Sequence, residues 1–467
     1  MSPEKTRGLR VLCFQSDSAQ CFKIRILQKF NELKRFGVEM DHTPIFPSLL
    51  GEPGPSFQAL VNQISRYDVI CVQRLTQLPE ISQIINACFY LGKACYFETD
   101  DDYCHLESHN PCYWSTALGD PLLERARMLS KEGRQDELNE IMPQLEPIRL
   151  QGLANYKKAL SLFDAVTVTT NELKSTIEPY NKNVHVFPNM MQRVYWEKDV
   201  TIEDSTMDGK MVRIDRMGMS TVPSYCYDRD PKKNFEVVLR DGAPTRFLIN
   251  SIIYSGTMSH YNDWLTIDEG WNRLAEAWAP RAHFIYVGDP WFYRRQKAWT
   301  GPKHVCTGEC PPYCPQYNPE GDDRPARRVH IQETDPDLYL LNMRNGKVGV
   351  APLAPTIFNM SKSDLKAMES AVWGNCPLLP RYITYTRTFV EDHTAVFYSS
   401  QEEFFHKADF LFNNPGVREK IGANARQYIY QNRLEKDHIY KYFEFLINLY
   451  NSKKPFIPLK PNKEKVA

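Results

Sequence analysis

Short apolar, β-rich runs alternate with helix-length amphipathic segments along this chain, and the alternation runs twice. The first round places strands at Leu9 to Phe14, Asp68 to Gln73, Ala94 to Glu98, Ala165 to Thr169 and Val184 to Phe187. Between them, Ile24, Leu27, Phe30, Leu33 and Phe36 recur every three or four residues, which predicts a helix over Lys23 to Phe36 that Gly37 stops. Pro79 to Leu91 reads as a second helix closed by Gly92, and Leu150 to Phe163 as another. Pro121 to Ile148 is charge-mixed with helical composition and reads as a surface helical insertion. The second round begins with a strand at Phe247 to Tyr254 and a helix at Trp264 to Trp278. Strands follow at His283 to Val287, Val329 to Ile331, Lys347 to Ala351, Pro377 to Leu379 and Ala395 to Tyr398, with a helix over Ser363 to Trp373. Gln401 to Tyr450 is almost wholly helical, and the Lys- and Pro-rich end reads as a disordered tail.

Strands separated by helices imply parallel βαβ units, so the chain is α/β. Two rounds imply two Rossmann-like domains facing across a cleft, with helical and loop insertions. The expected divisions are residues 1–196 for the first domain and 246–400 for the second, with 401–467 as C-terminal helices and tail. Between the domains, 197–245 is Met-, Asp- and Arg-rich without a helical period and reads as a hairpin or loop excursion. A Cys-rich insert spans 291–328. At 467 residues there is length for both cores. Lys plus Arg and Asp plus Glu each count 57, so no chain-wide basic field for nucleic acid exists. No apolar run approaches the roughly 20 residues a bilayer span requires. The charged start lacks a signal-peptide core, and the 12 cysteines then read as mostly reduced thiols in a cytoplasmic protein.

Sheets of this kind bind ligands beyond the carboxyl ends of their strands, so the turns there hold the candidate chemistry. Val350 to Pro377 reads VAPLAPTIFNMSKSDLKAMESAVWGNCP: a strand, a polar loop with Asn359, then a helix carrying Ser361, Lys362 and Ser363 in its first turn. Free N–H groups at a helix start attract phosphate, and Lys362 adds a full charge. Glu369, six residues after Ser363, can accept two hydrogen bonds from a ribose diol. The same residues also suit a capped amphipathic helix with a solvated Lys and Glu. Tyr254 to Asp263 (YSGTMSHYND) ends a strand at Gly256 and brings His260 and Asp263 to the same edge, with Asp263 equally able to serve as a helix cap. Phe284 to Pro290 (FIYVGDP) runs another strand into Gly288 and Asp289.

In the first half, Tyr96 to Asp102 (YFETDDD) gathers carboxylates at a strand end. Asp100, Asp101 and Asp102 repel one another unless a cation, a sugar or a solvated turn accommodates them. Asp100 and Asp102 also match the spacing of a D-x-D manganese site. Arg74, at the end of a buried strand, could pair with this cluster or with phosphate. Asn189 follows Pro188 in a turn, and Lys23 and Arg25 flank the first loop. In the insert, His304, Cys306, Cys310 and Cys314 could close a tetrahedral structural zinc site, or stand as free thiols. Arg294, Arg295, Lys297, Arg324, Arg327 and Arg328 make a local basic cluster there.

The stretch around Lys362 and Glu369 resembles the donor-binding segment of GT-B glycosyltransferases related to glycogen synthase and sucrose synthase. In that group a Glu ahead of a glycine–proline turn holds the nucleotide ribose, and Glu369 matches it. A second Glu usually stands eight residues earlier, where this chain has Ser361. The forms FN…KSDLK…E, G-T-M-S-H-Y-N-D and E-T-D-D-D resemble a divergent branch common in bacteriophage and bacterial genomes. The resemblance implies a nucleoside-diphosphate sugar donor on the second domain, held by Gly256, Asp263, Gly288, Asp289, Asn359, Lys362, Ser363 and Glu369. It also implies that His260 or one of Asp100, Asp101 and Asp102 positions the acceptor or shares its proton. No metal is required for catalysis, and retention at the anomeric carbon is implied by the resemblance alone. The acceptor is expected to be a glycan or a hydroxymethylated pyrimidine of phage DNA. Two alternatives stand beside this reading: a metal-dependent GT-A-like transferase using Asp100 and Asp102, and a non-catalytic nucleotide- or carbohydrate-binding module.

Overall fold

The computed structural model describes residues 8–15, 20–44, 56–76, 78–108, 110, 112–118, 120–192, 250–278, 282–288, 292, 340, 343 and 346–453. It also describes the strand backbones at 202–204, 212–214, 225–226, 235–236 and 328–332. The first sheet contains β1 (Arg10–Gln15), β2 (Glu39–Pro44), β3 (Val69–Gln73), β4 (Ala94–Glu98), β5 (Ala165–Val168) and β6 (Val184–Val186). All are parallel, in the order β2-β1-β3-β4-β5-β6. The central strands are buried along their whole length, as expected where helices cover both faces of a parallel sheet.

Two excursions follow: the antiparallel pair β7 (Ile202–Asp204) and β8 (Val212–Ile214), and the short strands β9 (Tyr225–Cys226) and β10 (Phe235–Glu236). The second sheet contains β11 (Asn250–Gly256), β12 (Ala282–Gly288), β13 (Arg328–Gln332), β14 (Val348–Val350), β15 (Cys376–Pro380) and β16 (Val396–Tyr398). These six are parallel in the order β13-β12-β11-β14-β15-β16, and antiparallel β9 and β10 extend the β13 edge. Within the second lobe the parallel strands follow the Rossmann order 3-2-1-4-5-6.

Helices cover both sheets. On the first lobe, α1 (Gln20–Phe22), a π-helical turn at Lys23–Leu27, α2 (Gln28–Leu33) and a 3₁₀ turn at Lys34–Phe36 form one continuous segment. Gly37 ends it with φ of 76°, a conformation that costs glycine little. The opposite face carries α3 (Phe57–Ile64), α4 (Leu78–Tyr90), the pair α5 (Pro121–Glu132) and α6 (Gln135–Leu160), and α7 (Asn171–Ile177). On the second lobe, α8 (Tyr261–Leu265) and α9 (Asp268–Trp278) bury Trp264, Trp271 and Trp278 against β11 and β12. The other elements there are α10 (Ile357–Met360), α11 (Leu365–Ala371), α12 (Ile383–Thr386), α13 (Gln401–Asn413) and α14 (Pro415–Asn432).

The last helix, α15 (Glu435–Ser452), returns to the first lobe. Its Ile439, Tyr442, Phe445 and Leu446 pack on Val11, Cys13, Val69, Cys71 and Tyr96. The chain thus passes between lobes twice at one place, where the Met191 N–H bonds to Arg433 O at 2.8 Å and the Glu435 N–H to Met191 O at 3.0 Å. Among the described residues, no helix is long and apolar enough to cross a membrane.

Several sequence expectations shift. Edge strand β2 was not read, because its EMDHTP run is mostly polar. Pro143 and Pro147 do not end the helical insertion; α6 runs through both and absorbs the helix expected after Leu150. The helix expected over Trp264 to Trp278 is split into α8 and α9. The helix expected to begin at Ser363 starts later, as α11 at Leu365, and the loop before it holds the short α10, so Ser361, Lys362 and Ser363 form the junction between the two. They therefore precede a helix rather than occupy its first turn.

Candidate functional site

Both sheets reverse strand order once, between β1 and β3 and between β11 and β14. A crevice opens at such a point because neighbouring connections leave in opposite directions. In the second lobe it is flanked by the turn after β11, with His260 and Asp263, and the loop after β14, which leads to Asn359 and Lys362.

Asp263 organises this corner. Its Oδ1 accepts from the Ala354 N–H at 2.8 Å and from Asn359 Nδ2 at 2.6 Å, and its Oδ2 lies 2.7 Å from His260 Nδ1. Burial opposes the charge on Asp263, yet the His260 hydrogen bond, Lys362 and the Ala354 N–H hold it well below the usual carboxylate range. His260 is pushed down to about 3, first by burial and then by Lys366 and Lys362, against the pull of Asp263. The imidazole is therefore neutral, with Nδ1–H donated to an ionised carboxylate and the Nε2 lone pair left as an acceptor. Lys362 Nζ stands 3.9 Å from Asp263 Oδ2 and 4.7 Å from the centre of the Phe358 ring. Lys366 Nζ donates to Ser255 O at 2.9 Å, near the end of β11. Two lysines thus converge on one strand end beside a histidine that cannot share their charge. Asn359 Oδ1 is buried there without a hydrogen-bond partner.

Glu369 is buried on α11, one turn beyond Lys366 and so on the same flank of the helix. Gly256 and Gly288 lie side by side in register at the ends of β11 and β12. Gly288 has φ of 111°, and a Cβ there would come within 2.4 Å of Gly256 O, so only glycine fits.

The first lobe meets this corner with its acidic turn. Arg74, left-handed at φ of 53°, places Nη2 2.8 Å from Asp101 Oδ2, and its Nε is 3.4 Å from Asp100 Oδ1 and 3.0 Å from Tyr103 Oη. Burial opposes ionisation of Asp100, but Arg74 and Arg25 keep it below its ordinary value. Asp101 goes the other way: burial and Asp100 raise it, while Arg74 and Lys362 pull it down. Asp101 therefore senses Lys362 across the gap. Asp102 is fully buried and committed. It accepts from Cys104 N–H at 3.0 Å and from Thr176 and Ser361 hydroxyls, both at 3.3 Å, and its Oδ2 lies 2.8 Å from His105 Nδ1.

The two serines flanking Lys362 face the other lobe. Thr170 donates to Ser361 O at 2.8 Å, and Asn189 Nδ2 donates to Ser363 Oγ at 2.8 Å. Arg387 pairs with Glu172 and donates to Lys362 O at 3.0 Å.

No family model matches the sequence, and no curated protein does. Solved structures do share its architecture. HepE of Anabaena, solved in complex with UDP-glucose, superposes with a TM-score of 0.53 at 10% identity, covering 94% of this chain and 100% of that one. The fold is GT-B. A glycosyltransferase from Rickettsia africae gives 0.53 at 11% identity over 95% of this chain and 98% of its own. Sucrose-phosphate synthase from Thermosynechococcus elongatus gives 0.51 at 11% identity over 95% and 100%. At this identity the likeness is one of fold.

In the GT-B cleft, His260, Asp263, Asn359 and Lys362 come together on the second lobe, and Asp100, Asp101 and Asp102 face them from the first. Ser363 points to Asn189. Asp289 and the His304, Cys306, Cys310 and Cys314 set lie outside the described residues. Among the described residues, no three His, Cys, Asp or Glu side chains converge to hold a metal. The sequence reading missed Lys366, although it stands four residues after Lys362 in the same motif. It also missed His105, Thr170 and Thr176, whose roles depend on the partner element alone.

Proposed function

We propose that this chain is a glycosyltransferase that moves a sugar from a nucleoside-diphosphate sugar to an acceptor hydroxyl. The observation that supports it is the pairing of Lys362 and Lys366 at the second lobe's switch point, beside a neutral His260 and opposite Asp101. A diphosphate there meets two cations and no competing imidazolium. As the glycosidic bond to the donor breaks, negative charge gathers on the departing diphosphate, and cations already fixed in place lower that barrier. Glu369 holds the ribose diol, and Gly256 and Gly288 admit close approach of the nucleotide. Asp101, raised by burial and by its neighbour Asp100, takes the proton of the attacking hydroxyl. His260 Nε2 accepts a hydrogen bond from a donor hydroxyl. Asp102 positions the acidic turn rather than moving a proton, since its oxygens are already bonded.

In this reading residues 1–196 form the acceptor lobe and 246–400 the donor lobe, with 401–467 closing back on the first. HepE was solved with UDP-glucose, so UDP-hexoses are the first donors to test. The acceptor is a saccharide or a hydroxymethylated pyrimidine of DNA. The phage-type motifs make the second credible without ranking it above the first, and the enzyme acts inside the cell. The spacing of His304, Cys306, Cys310 and Cys314 supports a structural zinc, which metal analysis of the purified protein would reveal.

The test is calorimetric titration with UDP and UDP-glucose, followed by UDP release over time. Binding is expected, with slow donor hydrolysis in the absence of acceptor. Lys362→Ala with Lys366→Ala should weaken UDP binding by roughly a hundredfold or more, since each lost charge-assisted contact is worth roughly 1.5–3 kcal/mol. A double variant that binds UDP as the parent does would remove the diphosphate assignment. Binding without any hydrolysis or transfer would make the protein a binding module.

A further inference from the structure

α3 and α4 pack against each other over the first sheet, with Leu60 and Ile64 of α3 and Ile81, Ile84 and Cys88 of α4 turned into the core. Their outer faces depart from the rest of the surface in two ways. The first is charge. The two helices together carry one acidic or basic residue, Glu80, and it is half-buried. The exposed residues are Gln58, Ala59 and Asn62 on α3 and Pro79, Gln83 and Asn86 on α4, all neutral. The next helix of the same lobe, α5, carries Glu124, Arg125, Arg127, Lys131 and Glu132 within one solvated helix. The second departure is aromatic. Phe89 is 85% exposed, Tyr90 72% and Phe57 46%. The Phe57 and Tyr90 rings meet edge to face with centres 6.4 Å apart, so the first turn of α3 and the last turn of α4 share one aromatic patch. Loss of charge together with gain of aromatics is the composition of a protein–protein interface core, not of a solvated face.

We propose that this face is a two-fold contact with a second copy of the chain. The proposal is independent of the sugar-transfer reading. Near a two-fold axis a residue meets its own counterpart, so a charge there would face itself. A face without charge escapes that repulsion, whereas an unlike partner would impose no such restriction. Gln and Asn amides hold donor and acceptor alike and can pair with their own kind. Gln58 Nε2 already donates to Asn62 Oδ1 at 3.0 Å on α3. Aromatic rings pack edge to face against like rings. An anionic membrane or a nucleic acid would require basic residues, and the two helices have none. The area agrees. At about 200 Å² per aromatic side chain, the three rings expose roughly 400 Å². Two copies bury about twice that, and the flanking neutral residues carry the contact into the range of about 1,200–2,000 Å² typical of stable interfaces. The patch sits at the far end of α4 from Arg74, about 20 Å along the helix, so pairing leaves the cleft open.

The experiment is sedimentation velocity on the full chain from nanomolar to high-micromolar concentration. A species of twice the 54.3 kDa chain mass should appear as concentration rises. Phe89→Ser with Tyr90→Ser should raise the dissociation constant by about a hundredfold or more, since two aromatic anchors are truncated. Its melting temperature at a concentration where the parent is monomeric should be unchanged, because neither ring lies in the core. Gln83→Lys with Asn86→Lys should also give a monomer at low salt, and so should Gln83→Glu with Asn86→Glu. Mixed, those two variants should form a dimer again, which a folding defect would not produce. A parent that stays monomeric at every concentration overturns the proposal. So does a dimer indifferent to the serine substitutions, or a mixture of the two charged variants that stays monomeric. A monomeric parent that binds maltoheptaose, with binding lost in the serine variant, would make the face a glycan platform instead.

Discussion

His260 shows how a residue of ordinary chemistry is fixed in one state by its surroundings. In the unfolded chain an imidazole binds its proton near 6.5, whereas in the fold His260 does so at about 3. Between those values the unfolded chain holds more protons, so acid favours unfolding. The contribution is intact above 6.5 and is lost as pH falls toward 3. His260→Asn should therefore flatten the fall in melting temperature across that window, and the parent's pH–rate profile should show no inflection near 6.5. A parent profile with a histidine-like limb would contradict a neutral His260. Much of this corner was legible in the residues: His260, Asp263, Asn359 and Lys362 stand in turns after apolar strands, where ligands gather. Lys366 was not, because a lysine on a helix is usually a solvated charge, and only the approach of β11 shows that it reaches Ser255. That Asp102 is bonded within the fold was not legible either. Its partners Thr176 and Ser361 are 74 and 259 residues away in sequence.

At the scale of elements, the crossing at Met191 and Leu434 depends on one arginine. Arg433 Nη1 and Nη2 reach Asp364 at 2.7 and 2.9 Å, and Nη2 also donates to Asn189 O at 2.8 Å. Asp364 is the cap residue before α11, which carries Lys366 and Glu369, so Arg433 ties that helix to the crossing. Both side chains are nearly buried, at 11% and 5% exposed. Removing one partner strands the other, which costs about 3–5 kcal/mol. Arg433→Ala should lower the unfolding free energy measured by denaturant titration by that order. Arg433→Lys should recover only part, since an ammonium cannot make the paired contacts of a guanidinium. An Arg433→Ala protein as stable as the parent would remove the clasp. Strand and helix order was readable because buried parallel strands are nearly continuous apolar runs. β2 escaped because an edge strand is half solvated, and the junction at Ser361 to Ser363 escaped because its partners Thr170 and Asn189 come from the other lobe.

Across the whole molecule, the two lobes are joined around Lys362 by short hydrogen bonds rather than by surface charge alone. The Arg387–Glu172 pair is partly exposed, so salt screens it and its contribution is small. The bonds from Thr170 to Ser361 and from Asn189 to Ser363 are shielded and flank Lys362 on both sides. Thr170 is also the N-cap of α7, accepting from the Leu173 N–H at 3.1 Å, so the start of a first-lobe helix is bonded to the loop before Lys362. Under the proposed function, a nucleotide that orders Lys362 biases the first lobe as well, and any factor it adds to acceptor affinity the acceptor returns to donor affinity. Hydrogen exchange reads this directly. On adding UDP, protection should rise in 357–371 and also in 99–105 and 167–177. Asn189→Ala with Thr170→Val, which removes both bonds, should confine the rise to the second lobe while UDP still binds. High salt should leave the coupling in place, because the exposed ion pair carries little of it. If the parent gains protection in 357–371 alone, the lobes bind independently and these contacts serve stability only.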